Sequence, residues 1–292
     1  MDRTLDEAQL NALVSLLDDR DPGVVEKCSQ RLIKEGPDVL DALGTIPHEP
    51  ETRWLRVQEI TTAIRAGEAE RDLCAWFIES SDELDLEEGA LRLSRIRDPG
   101  LRLINTKRRL DELAEDLRTN LSNQRDATRP EVIAEALTQT LVRGAGLDGN
   151  RDDYYDPDNS FLDLVLERTV GIPISLSAVY ILVSRRLGLP VFGVGMPGHF
   201  IVQCGIEGGD GSPVLIDPFD GGRVLTRQAC LEFLARGGFG ASDDFLAVST
   251  DARTLARMIV NLVHCYRRLD RPDLEARYAR LFELCAGEPP PA

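Results

Sequence analysis

The chain has 292 residues, of which 42% are apolar, enough to bury a sizeable core in one large domain or two smaller ones. Fifty acidic residues against 34 basic ones give a formal charge of −16, which argues against nucleic-acid binding because contacts to phosphate backbones need a basic surface. The sequence has neither a phosphate-binding glycine loop nor a dinucleotide fingerprint, so we expect no cofactor.

Histidines and cysteines are too scattered to predict a metal site. His48, His199 and His264 lie far apart, and the six cysteines form no Cys-x-x-Cys pair, which favours free thiols in a reducing compartment. No secretory signal pattern opens the chain, and the longest apolar run, Ala178 to Val183, is far shorter than the roughly 20 residues that span a bilayer. We expect a soluble, cytoplasmic protein without a membrane segment, and its oligomeric state stays open.

The first residues have the pattern of paired helices. Leucines recur at three- and four-residue steps from Leu10 to Leu17, and a polar turn follows. Pro22 suits the first position of a second helix that Gly36 ends. This unit resembles a single HEAT-like repeat, and we assign residues 1–66 to it.

Residues 67–146 continue as helices without a strand signal. Helices are predicted over Asp82 to Leu91, Asn105 to Leu121 and Arg129 to Leu141. The polar stretch from Thr119 to Pro130 is the predicted linker within this region.

From residue 147 the pattern changes, and two helices are predicted in succession. Ser160 and Asp163 suggest a capping box for a helix from Phe161 to Arg168. Pro173 then opens a helix to about Leu187 that is apolar on all sides, which is typical of a helix at the centre of a domain.

The following segments alternate like strands and then return to helix. Strands are predicted at Val191 to Val194, Phe200 to Cys204 and Val214 to Ile216. Thr226 should cap a helix to Ala235, and residues 252–285 predict a terminal helical hairpin. The fold class is therefore α+β, a mostly helical chain with a papain-like or transglutaminase-like core of a buried central helix against a small antiparallel sheet.

His199 and Asp217 are the candidate catalytic residues. Cysteine hydrolases place the nucleophile at the N-terminus of a buried helix, and neighbouring strands carry a histidine and then an aspartate. Gly198-His199-Phe-Ile-Val matches the histidine strand, and Leu-Ile-Asp217-Pro matches the aspartate strand. Two of the three parts are present.

The order of longer motifs resembles the SirB branch of the transglutaminase-like superfamily. These motifs are Asp153-Tyr-Tyr-Asp-Pro-Asp-Asn-Ser160, Gly171-Ile-Pro-Ile-Ser-Leu-Ser177, Arg186-Leu-Gly-Leu-Pro190, Gly193-Val-Gly-Met-Pro-Gly-His199 and Asp217-Pro-Phe-Asp-Gly-Gly222. The resemblance implies a SirB-like helical region over 67–146, a transglutaminase-like core over 147–250 and a tetratricopeptide-like hairpin and tail over 251–292.

The resemblance also implies that the catalytic cysteine is missing, because its position falls on Pro173. Ser175 should point away from this position, whereas Ser177 returns to the same face about 6 Å deeper along the helix. Cys204 should not meet His199, because an odd separation puts the two side chains on opposite faces of the sheet. Ser177 is therefore the weak candidate for a substitute nucleophile, and a structural role as a helix serine is its alternative.

Two functions are compatible with these residues. The first is a catalytically impaired domain that binds a protein or peptide as a regulatory or scaffolding module, with a pocket of ligand-binding residues, Tyr154, Tyr155, Asp156, Asn159, Pro173 and Gly198. The second is a hydrolase or acyl transferase in which His199 and Asp217 activate Ser177 or a water. Two structural interpretations stay open as well. The His199–Asp217 hydrogen bond could serve only to stabilise the fold, and residues 154–159 could be a simple capped turn.

Overall fold

The computed structural model describes residues 5–80, 84–122, 124–206, 208–209, 211–240 and 242–291. Its helices are α1 (Glu7–Ser15), α2 (Pro22–Glu35), α3 (Leu40–Leu43), α4 (Glu51–Ser80), α5 (Leu86–Arg97), α6 (Leu103–Ser122), α7 (Pro130–Leu137), α8 (Leu162–Arg168), α9 (Pro173–Arg185), α10 (Arg227–Arg236), α11 (Asp251–Arg268) and α12 (Pro272–Ala286). Its strands are β1 (Asp148–Gly149), β2 (Val170–Gly171), β3 (Val191–Met196), β4 (His199–Cys204), β5 (Val214–Asp217), β6 (Arg223–Leu225) and β7 (Val248–Ser249).

The chain divides into two compact units, and the smaller one comprises residues 1–76 and 92–101. Its core is formed by the facing sides of the first helices, with buried residues that include Leu10, Leu17 and Leu32. As the sequence predicts, α2 begins at Pro22 and stops before Gly36, whose φ of 73° favours glycine. Asp21 caps this helix by accepting from the backbone N–H of Gly23 at 2.8 Å.

The larger unit comprises residues 77–91 and 102–292 and is built around α9. Every residue of α9 from Pro173 to Ser184 is buried, which confirms the predicted central helix. Helices α6, α8 and α11 pack against α9, as do strands β3 and β4. Because water is excluded all round α9, its unbroken apolar composition is what this position requires.

The larger sheet has five strands in the order β6-β5-β4-β3-β7, and all its neighbours are antiparallel. Strands β3 and β4 form a tight hairpin in which Met196 pairs with His199. A separate two-stranded parallel pair joins β1 to β2. The structure therefore confirms the α+β class with a buried helix against a small antiparallel sheet.

Several local predictions were wrong. Ser160 does not cap α8, whose N-cap is Phe161 without a side-chain hydrogen bond. Asp156 instead caps the preceding 3-10 turn, where it accepts from the backbone N–H of Asp158. The central helix ends at Arg185 instead of near Leu187. The predicted linker overlaps α6, which continues to Ser122.

Other differences concern short or displaced elements. Strands β1, β2, β6 and β7 were not predicted, because each has only two or three residues. A π-helical segment over Thr138–Gly144 follows α7 where the sequence predicts the end of an α-helix. The predicted helix start at Asp82 lies outside the described residues, and α5 begins at Leu86. In the described part of the chain, every helix is too short or too polar to cross a lipid bilayer.

Candidate functional site

His199 and Asp217 form a close pair in the larger unit. His199 Nε2 lies 2.7 Å from Asp217 Oδ2, and both side chains are largely buried. Because an ionised carboxylate only accepts hydrogen bonds, this contact places the proton on Nε2. The other ring nitrogen, Nδ1, is then left for a nucleophile or a ligand.

Two turns fix the positions of this pair. His199 begins β4 directly after the hairpin turn, where Gly198 has a φ of 76° that side chains with a Cβ rarely adopt. Asp217 ends β5, and its Oδ1 accepts from the backbone N–H groups of Phe219 at 3.0 Å and Asp220 at 3.2 Å. The carboxylate therefore has hydrogen-bond partners on both oxygens, which holds it in one orientation for the imidazole.

A small cleft lies at the N-terminus of α9, next to the imidazole. Its volume is about 20 Å³, room for little more than a water molecule or one small polar group. The cleft is lined by Tyr154, Pro173, Ile174, Gly198, His199, Phe200, Arg257 and Asn261. Pro173, Gly198 and Tyr154 are thus brought together with His199, as the sequence predicts for a pocket.

Aromatic rings surround the histidine. The ring centroid of His199 lies 5.7 Å from that of Phe233 and 6.5 Å from that of Phe219. Tyr154 packs edge-on against Phe219, and burial raises the pKa of its phenol, with electrostatic interaction with the neighbouring Tyr155 adding to the effect. A phenol with a raised pKa is a poor nucleophile, so the only hydroxyl among the described residues that line the cleft does not replace a thiol.

Three other candidate ligand-binding residues do not line this cleft. Tyr155 is 41% exposed, and the guanidinium carbon of Arg268 lies over its ring, 3.9 Å from the ring centroid. Asp156 accepts from Asp158 N–H and pairs with Arg168 at 2.8 Å. The amide of Asn159 is buried, where it accepts from Asn150 and donates to the carbonyl of Asp153. These contacts maintain the turn that carries Tyr154.

Neither Ser175 nor Ser177 of α9 reaches the histidine. Ser175 Oγ donates to the carbonyl of Asn159 at 2.6 Å and accepts from Ile172 N–H at 3.1 Å. Ser177 is fully buried, and its hydroxyl has no hydrogen-bond partner among the described residues. It does not line the cleft.

Cysteines near the pair are also unsuited to replace the nucleophile. Burial raises the pKa of the Cys204 thiol to about 12, and Cys204 lies at the opposite end of β4 from His199. Cys230 lies on α10, where burial and then the charge of Asp217 raise its pKa. A reactive thiol needs the opposite shift, because the thiolate is the attacking species.

Besides the apolar Ile174 and Phe200, sequence reasoning missed two polar residues of the cleft, Arg257 and Asn261. Both lie on α11, one helical turn apart, and therefore on the same face. The Arg257 guanidinium donates to the carbonyl of Met196 at 3.3 Å, and burial lowers the pKa of this arginine. Their pattern on α11 is that of any amphipathic helix, so only the packing of α11 beside α9 reveals them. In the described residues, no group of three or more His, Cys, Asp or Glu side chains is placed to hold a metal ion.

A family model of the transglutaminase-like superfamily matches residues 104–260, more than half of the chain and nearly all of the cleft lining. The chain belongs to the transglutaminase-like superfamily. His199 and Asp217, whose side chains lie 2.7 Å apart, fall within the matched residues, and so does Pro173 at the start of α9.

Curated relatives include members of the UPF0162 family. A UPF0162 protein of Xylella fastidiosa strain Temecula1 is 40% identical over 162 residues, which cover 53% of this chain and 56% of the relative. A Vibrio cholerae UPF0162 protein is 31% identical over 143 residues, 49% of this chain and 51% of the relative. The chain thus spans about half the length of these bacterial relatives.

A eukaryotic relative contains the same region in a longer protein. F-box only protein 21 of Mus musculus is 33% identical over 142 residues, which cover 47% of this chain and 22% of the mouse protein. No solved structure matches the chain. Regions similar to this one therefore occur in proteins of different length.

Proposed function

We propose that this transglutaminase-like protein is catalytically impaired and binds a protein or peptide as a regulatory or scaffolding module. One observation carries the proposal: the cleft beside His199 is lined by Pro173 where a nucleophile would stand, and the described residues of its lining include no serine, threonine or cysteine. Without an attacking group, the His199–Asp217 pair can still orient a polar group of a ligand.

The surroundings of the cleft support a peptide as the ligand. Phe233, which contacts His199, is 37% exposed, and Tyr155, which contacts Tyr154, is 41% exposed. Exposed aromatic rings beside a small polar cleft can pack against a ligand side chain while the cleft takes a polar group. The cleft itself is too small for a whole residue, so most of the ligand would lie on the surface.

The proposal also includes the resemblance to the SirB branch and a role for the flanking helices. The motifs that resemble the SirB branch, the HEAT-like unit and the tetratricopeptide-like hairpin of α11 and α12 would make a cytoplasmic binding protein with helical flanks. The occurrence of the region within the longer F-box only protein 21 supports its use as a module. Fold similarity alone does not assign a function, so binding has to be measured.

The test compares wild type with His199→Ala on a panel of peptides, with His48→Ala in the smaller unit as the matched control. We expect saturable binding of some peptides to wild type and to His48→Ala, with a clear loss for His199→Ala. The same panel, prepared as amides and esters, should show no hydrolysis or acyl transfer. Turnover that disappears in His199→Ala would contradict the proposal and establish an enzyme.

A further inference from the structure

Arg257 is a half-buried cation at the cleft without a carboxylate partner in the part of the chain that the structure describes. Arg186, a half-buried arginine of the larger unit, does have such partners in Glu87 and Asp111, and even the exposed Arg185 pairs with Asp251. A guanidinium has five N–H donors, and the carbonyl of Met196 takes one bond. Because buried charges are ordinarily paired, Arg257 has unused capacity for an anion.

Asn261 adds a second donor on the same side of the cleft. It lies four residues after Arg257 on α11, and its amide makes no hydrogen bond to another described residue. A guanidinium and an amide side by side offer parallel N–H groups, an arrangement that matches the two oxygens of a carboxylate. The N-terminus of α9 also faces this cleft through Ile174, and its dipole adds to the preference for negative charge.

We infer that Arg257 and Asn261 bind a carboxylate of the peptide ligand, so that the cleft selects an acidic group. This inference rests on the proposed function and names the ligand chemistry of the same site. The volume of about 20 Å³ suits a small planar group that enters from the surface. The carboxylate could belong to a peptide C-terminus or to an acidic side chain, and the experiment separates these two sources.

The probes are three forms of one acetylated hexapeptide that contains phenylalanine. The first has an amidated C-terminus and no acidic residue, the second has a free C-terminal carboxylate, and the third is amidated but carries glutamate. Titration calorimetry gives the affinities, and the imidazole NMR signal of His199 reports whether the cleft is occupied. Full-length wild type is compared with Arg257→Gln and with Arg253→Gln, a control that removes an exposed arginine one turn earlier on α11.

We expect one of the two peptides with a carboxylate to bind wild type about 10- to 100-fold more tightly than the neutral peptide, because charge-assisted hydrogen bonds are strong. The preferred form identifies the source of the carboxylate. Arg257→Gln should abolish this preference, and Arg253→Gln should change the affinities by less than about twofold. Equal binding of acidic and neutral forms would overturn the carboxylate inference and leave peptide binding intact. Failure of every form to bind wild type would refute both.

Asn261→Asp provides a second test, in which the cation at the cleft is kept. The new carboxylate would lie one turn from Arg257 and satisfy it within the chain. We expect this variant to unfold at a higher urea concentration than wild type and to lose the preference for acidic peptides. A variant that keeps the preference would show that Arg257 does not select the ligand.

Discussion

Pro173→Cys would show whether His199 and the N-terminus of α9 still form an environment that activates a nucleophile. An unperturbed thiol has a pKa of about 8.5, and a helix N-terminus with a neighbouring histidine lowers it to between about 3.5 and 7.5. Residue 173 is the first residue of α9 and lines the cleft beside the imidazole. We therefore expect the thiol introduced by Pro173→Cys to titrate at least about one pH unit below its ordinary value.

The assay is the ultraviolet absorbance of the thiolate, followed between about pH 5 and 9, as the difference between variant and wild type. This measurement needs no reagent to enter the small cleft. Subtraction of the wild-type signal removes the contribution of the native cysteines, of which Cys204, Cys265 and Cys285 have pKa values raised by burial to about 12. If the pKa of the introduced thiol falls to about 7, half of it is thiolate at pH 7, compared with about 3% for an unperturbed thiol.

Two controls separate the causes of the shift. His199→Ala in the Pro173→Cys background removes the imidazole that would take the thiol proton and should move the midpoint back toward about 8.5. Pro272→Cys places a thiol at the first residue of α12, an exposed helix start without a histidine in the described contacts. Two results would refute the view that Pro173 occupies the nucleophile's place. The first is a titration midpoint for Pro173→Cys at or above the ordinary thiol pKa, and the second is a midpoint that His199→Ala does not change.

Two further substitutions test the packing that holds the site. Asp217→Asn should lower the free energy of unfolding by about 2 kcal/mol in urea titrations, because it weakens charge-assisted hydrogen bonds to His199 and to two backbone N–H groups. The control Asp220→Asn changes an exposed neighbour and should cost less than about 1 kcal/mol. Equal costs for the two variants would contradict this account. Gly193→Ala should cost about 1–3 kcal/mol, because an added Cβ would lie 2.7 Å from the Phe200 ring. Gly195→Ala on the same strand, with 3.3 Å to that ring, should cost less, and the reverse order would show that Phe200 moves aside.

The central parts of the fold could be predicted because their signals are local. An apolar run opened by Pro173 and followed by Gly188 predicts a buried helix whatever surrounds it. The glycines before His199 and the alternation on either side of them predict two strands separated by a turn, with His199 beside the second strand. These elements also carry the motifs of the resemblance, so the His199–Asp217 pair could be expected before any coordinates.

The other side of the cleft could not be predicted because it depends on tertiary packing. Arg257 and Asn261 lie on a helix far along the chain, and nothing in its amphipathic pattern indicates which polar residues face α9. The cap at Asp156 was missed for a related reason. Ser160 fits a capping pattern for α8, but it is the last residue of a 3-10 turn that buries its hydroxyl, and Asp156 caps that turn and not α8. Strands of two or three residues, such as β6 and β7, exist only because a neighbouring strand pairs with them.

Ser175 and Ser177 of α9 should respond to alanine in opposite directions. Both are fully buried and lie two residues apart on one helix, so the intrinsic helix preference of alanine affects them equally. Ser175→Ala leaves the Ile172 N–H and the Asn159 carbonyl without this partner and should cost about 1–3 kcal/mol. Ser177→Ala removes a hydroxyl that has no partner among the described residues, so the free energy of unfolding should stay the same or rise by about 1 kcal/mol.

Urea unfolding of both variants would also decide whether Ser177 can act as a nucleophile. A serine activated by His199 must hydrogen-bond to the imidazole directly or through a water, and losing that bond would destabilise the protein. If Ser177→Ala costs as much as Ser175→Ala, the hydroxyl has a partner in solution, and the hydrolase hypothesis regains support. If it costs nothing, the serine one turn after Pro173 is structural, and the His199–Asp217 pair acts on whatever ligand enters the cleft.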